Sequence, residues 1–189
     1  MKKIILTITL ALLSFWSQAE EASMMLEGGS QALVFDITEV NLEVSDQVKD
    51  GCLPRPDSVN ASAEAALRRN NFSIVDEGTS FLPPTVRITA LGYAPGNYMC
   101  VVSFSLVITK FIAAKVPHAA ELDESLKMTI APVQYEIYST VLTGPKKDMQ
   151  DRVEREAEKA ANEFFIKIER SKDYVRLKWP QLWDIVYGE

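Results

Sequence analysis

Apolar and polar residues alternate along much of this chain with a period of two, the spacing of strands with one covered and one wet face. Val86, Ile88 and Ala90 alternate with Arg87 and Thr89. Cys100, Val102, Phe104, Leu106 and Ile108 alternate with Ser103, Ser105 and Thr109, the clearest strand in the sequence. A last strand is expected over Met128 to Leu142, with Val133, Tyr135, Ile137 and Val141 inward and Pro132 demanding a bulge or an edge position. Near the start, Ala32 to Val44 also reads as a strand. Its inward parity slips from Phe35 and Ile37 to Val40, Leu42 and Val44, which predicts a bulge near Thr38-Glu39 or two short strands. Phe72 to Val75 returns to the sheet.

The period changes to three and four in two places. After a loop over Asp46 to Asp57, Ser58 or Asn60 caps a helix that runs to Arg69 and buries Ala63, Ala66 and Leu67. Asn70-Asn71 suits the left-handed turn that ends it. Gly144-Pro145 opens a long helix to about Arg170, whose buried stripe is Met149, Val153, Ala157, Ala160, Ala161, Phe164, Phe165 and Ile168. Asp148–Arg152, Asp151–Arg155 and Glu163–Lys167 have ion-pair spacing on its outer face. This order predicts an α+β fold, a two-layer sandwich of a mainly antiparallel sheet of about five strands with two amphipathic helices on one face. The other sheet face, with Thr85, Arg87, Ser103, Ser105, Gln134 and Glu136, is left to water.

The first residues add an address. Lys2-Lys3, the apolar run Ile4 to Leu13 and the small residues Ser17 and Ala19 form the three regions of a secretory signal peptide, cut between Ala19 and Glu20. The run is too short to span a bilayer, and no cysteine follows the cut to carry a lipid. No later stretch has the length of a spanning helix, so the mature form is expected without a transmembrane segment, in the bacterial periplasm or secreted. The chain therefore divides into a leader at 1–19, a lead-in at 20–31, a single α+β domain at 32–170 and an aromatic C-terminal tail at 171–189, expected to dock on the domain.

Export changes how the two cysteines read. Cys52 and Cys100 are an even count bound for an oxidising compartment, and a disulfide between them is expected, with two buried thiols as the alternative. Redox sites favour Cys-x-x-Cys spacing, which is absent.

Composition narrows the chemistry. With 47% hydrophobic, 24% charged and 9% aromatic residues over 189 positions, the chain is of ordinary globular type. Its net charge is −6, and −8 once Lys2 and Lys3 leave, 18 basic against 26 acidic residues. Nucleic acid is not the expected partner of such a chain. His118 is the only histidine, in a polar loop without the strand-turn-helix setting of a nucleophile. With Glu121, Asp123 and Glu124 it offers metal-ligand types, but an exposed acidic loop is the plainer reading, and no metal or cofactor is expected. Phosphate-loop, EF-hand and dinucleotide spacings are missing, and no catalytic residue is assigned.

The tail is the remaining feature. It carries Trp179, Trp183 and Tyr187 among further apolar residues, with Pro180 placed to start a short helix. These aromatics are candidate partner contacts if they do not close the core. The expected function is an exported, non-enzymatic binding or accessory module acting in envelope assembly with another envelope protein. The alternatives are a hydrolase built on a carboxylate pair and an inhibitor or immunity-like protein. Oligomeric state is not legible.

Overall fold

The computed structural model describes residues 34–75, 82–115 and 128–188. The predicted leader and the His118 loop with Glu121, Asp123 and Glu124 lie outside them. Two compact units are formed: residues 37–169, and a smaller one of described residues 34–36 with 170–188.

The larger unit is the α+β sandwich. Its elements are β1 (Glu39–Val48), α1 (Pro56–Arg69), β2 (Ser73–Ile74), β3 (Thr85–Tyr93), β4 (Met99–Lys115) and β5 (Met128–Pro145), followed by α2 (Lys146–Lys178). The five strands lie in the order β2-β1-β3-β4-β5. β1 runs parallel to both of its neighbours, while β3, β4 and β5 form an antiparallel meander. The covered face carries Val40, Val86, Ile88, Val102, Phe104, Leu106 and Ile108, all essentially without exposure. The α2 stripe is buried at Met149, Val153, Ala157, Ala160, Ala161, Phe164 and Ile168, as its spacing predicts, while Phe165 is half-buried. The rings of Phe72 and Phe164 stack at 5.0 Å.

Four expectations are corrected. The first strand begins at Glu39, not Ala32, and extends to Val48, because parallel pairing with β3 continues as far as Val48↔Gly92. Residues 34–36 form a turn before it, so the parity slip marks a strand boundary. Helix α1 starts at Pro56, with Arg55 at the cap and no side-chain cap bond. Proline is preorganised for a first helical turn, which leaves Ser58 inside the helix. Val141 points outward and is 65% exposed. The register of β5 shifts between Leu106↔Tyr138 and Val107↔Glu136, placing the extra residue at Ile137. Past this bulge the covered positions become Leu142 and Gly144. Finally, α2 continues to Lys178, since no glycine or proline interrupts it before Pro180.

A proline on the edge strand and a left-handed turn after α1 accord with the sequence: β5 is the outer strand, and Asn71 has φ 64°. Arg152 and Lys167, both placed in ion pairs by spacing, donate to the carbonyls of Thr143 and Ile137. Lys167 also lies 5.4 Å from the centre of the Tyr135 ring.

Ser58, displaced from its expected capping role, helps to join the two helices of the unit. Gln150, 5% exposed, accepts from the Arg55 backbone N–H at 3.0 Å and directs its amide to the Arg55 carbonyl, Ser58 and Glu154. The Ser58 hydroxyl donates to Glu154. This bond first, then Gln150 and the positive Arg55, hold the Glu154 carboxyl below its ordinary value against the opposing effect of burial. A carboxyl whose pKa is depressed by folding stabilises above its unfolded pKa, and that contribution is lost as pH falls through the folded pKa. Unfolding free energy is therefore expected to fall on acidification below about pH 4.5, with a shallower decline in Glu154→Gln. Urea titrations at a series of pH values check this; parallel curves for the two proteins would remove Glu154 from the account.

Candidate functional site

The strands present their second face uncovered by either helix. Odd-numbered residues of β1, β3 and β4 point there, and cross-strand register assembles them into rows. The middle is polar: Glu43, Arg87, Val107 and Glu136 form one row, and Ser45, Thr89, Ser105 and Ser139 the next. Arg87 donates to Glu43 at 2.8 Å. Thr85, Ser103, Ser105, Arg87, Gln134 and Glu136 stand on this face at least partly exposed, as alternation predicts.

At one end the character changes. Gln47, Leu91, Ser103 and Val141 form one row, and Tyr93, Val101 and Thr143 the row beyond. Leu91, Tyr93 and Val141 are 54%, 55% and 65% exposed. Together with Lys49 they line a depression of about 560 Å³. Gly92 lies in its floor, and a Cβ there would stand 2.4 Å from the Val101 carbonyl oxygen, so only glycine lets β3 and β4 approach this closely. Alternation alone leaves this face to water and does not reveal the patch. The available signal was Leu91 and Tyr93 at wet parity.

Cys52 and Cys100 are bonded, with Cα atoms 5.9 Å apart and both residues fully buried. The bond joins the β1–α1 loop to the start of β4, opposite Gly144. It is a structural tie and presents no thiol to solvent.

The smaller unit carries the tail. Pro180 begins α3 (Pro180–Tyr187), and Trp179, held out of the helical region by the following proline, caps it. The Tyr187 hydroxyl donates to the Phe35 carbonyl at 3.0 Å, and the two rings meet edge to face. Trp183 lies against Tyr187 at 4.4 Å, with the Arg176 guanidinium 5.8 Å from its centre. Trp179 instead meets Tyr174. The three named aromatics are thus fixed by contacts within this unit, yet Trp179 and Tyr187 each keep 37% of their surface, and Leu177 and Ile185 about twice that share.

Among the described residues no cluster of three or more histidine, cysteine or acidic side chains is placed to hold a metal ion. No described helix is long and apolar enough to cross a membrane. The carboxyl whose titration is displaced there, Glu154, is held ionised, the reverse of the raised pKa a general acid needs. Compared with protein-family models and with curated proteins, the sequence matches none.

Proposed function

We propose that the chain is an exported binding or accessory module of the bacterial envelope, working by association and not by chemistry, with the open sheet face as its contact surface. The observation that carries this reading is the pair of adjacent rows holding Leu91, Tyr93, Val101 and Val141, exposed on the sheet face that α1 and α2 leave open. Large apolar side chains exposed side by side on a sheet face are a mark of a surface used for contact. A buried disulfide fits an oxidising compartment, and the leader pattern supplies the route. The aromatic tail around Trp179, Trp183 and Tyr187 serves as a second anchor in the same assembly.

Two measurements test this. Expressed from its own start in a bacterial host, the protein should be recovered from the periplasm with an intact mass beginning at Glu20; a form retaining Met1 would remove the export half of the reading. A photocrosslinking residue at Val141 should capture an envelope component in intact cells, whereas the same residue at Arg155, exposed on α2, should not. Equal capture from both positions defeats the choice of surface.

A further inference from the structure

We propose that the depression on the open sheet face takes a single-chain amphiphilic carboxylate, its hydrocarbon lying along the sheet and its head group meeting Lys49 and Tyr93. The inference rests on the reading of this face as the working surface and adds the chemistry of the ligand. Three features converge. The volume of about 560 Å³ is in the range of small-molecule sites. From Gln47 on β1 through Leu91 and Ser103 to Val141 on β5, the row crosses three interstrand steps, about 14 Å, and its apolar part, Leu91 to Val141 beside Val101, spans two of them, about 10 Å, more than a socket for one ring.

The charge of the lining is the third feature. Acidic residues outnumber basic ones in this chain, 26 to 20, yet the depression is lined by no carboxylate and by one cation, Lys49. Among the described residues neither the Lys49 ammonium nor the Tyr93 hydroxyl is engaged by another group. An ammonium and a phenol at the margin of an apolar trough offer two donors to a carboxylate while the chain covers Leu91, Val101 and Val141. A cationic amphiphile would meet Lys49 with like charge, and a neutral one would leave both donors without an anion.

Calorimetric titration with laurate, kept below its micelle-forming concentration, tests the proposal against dodecanol and dodecyltrimethylammonium, which share its chain length. Laurate should bind most tightly. Lys49→Met should weaken laurate by about two- to fivefold, the scale of an exposed charge pair, and leave dodecanol unchanged. Val141→Asp, at an exposed position, should abolish binding of both while the melting temperature holds. Equal binding of all three amphiphiles, or a Lys49→Met variant that binds laurate as before, would overturn the assignment of the head group. Failure of laurate to bind at all would overturn the proposal outright. The contact-surface reading would then still be decided separately by capture from Val141.

Discussion

Reduction of the Cys52–Cys100 bond is expected to lower the unfolding free energy by about 4 kcal/mol without abolishing the fold. The bond closes a loop of 48 residues, and most of its effect lies in the unfolded chain, which loses the freedom to separate those two points. The loop holds α1, β2 and β3, so the constraint acts on the segment that carries the two parallel neighbours of β1. The bond lies within the core of the larger unit, but the stripe of α2 and the covered face of β3 and β4 supply most of that core, so the fold should persist without it. Urea unfolding of oxidised and reduced protein, and of a Cys52→Ser/Cys100→Ser variant, checks the value. An unchanged midpoint would mean that the bond merely decorates a chain already held by packing.

Phe164→Ala is the second large effect, a loss of about 4 kcal/mol. The ring is completely buried on α2 and stacks on Phe72, which precedes β2. Its removal leaves a cavity between the long helix and the turn from α1 into β2, and rigid backbone on both sides limits collapse into it. Phe72→Ala should cost somewhat less, since Phe72 is 6% exposed. The double variant should lose less than the sum of the two, because the first truncation already removes the stacking contact. Additive losses would show that the rings stabilise separately, through their surroundings.

The architecture was largely legible because period is local. The alternation of β3 and β4 names their buried residues, and the three-four stripe of α2 names its own. What escaped depended on partners. Continuing the parity of Val133 and Ile137 places Val141 inward. The bulge that reverses that parity is a property of β5 against β4, not of β5 alone. The start of α1 was missed for a related reason: Ser58 is a good cap by type, but Pro56 sets the first turn and Ser58 is drawn to Glu154, 96 positions away. The candidate site was illegible as a site. Gln47, Leu91, Ser103 and Val141 come from four strands, and only register makes them a row.

The outer strand of the sheet has a further consequence. β5 is 18 residues long and among the described residues has no strand on its far side, so its backbone would ordinarily offer a template to any extended chain. Lys167 and Arg152 reach from α2 to the Ile137 and Thr143 carbonyls, and Pro132 withholds an N–H nearer the strand's start. An intruding strand must first displace two cations and then meet a bulge that breaks its own register. These features act as gatekeepers that guard the strand against edge-to-edge pairing with a second copy.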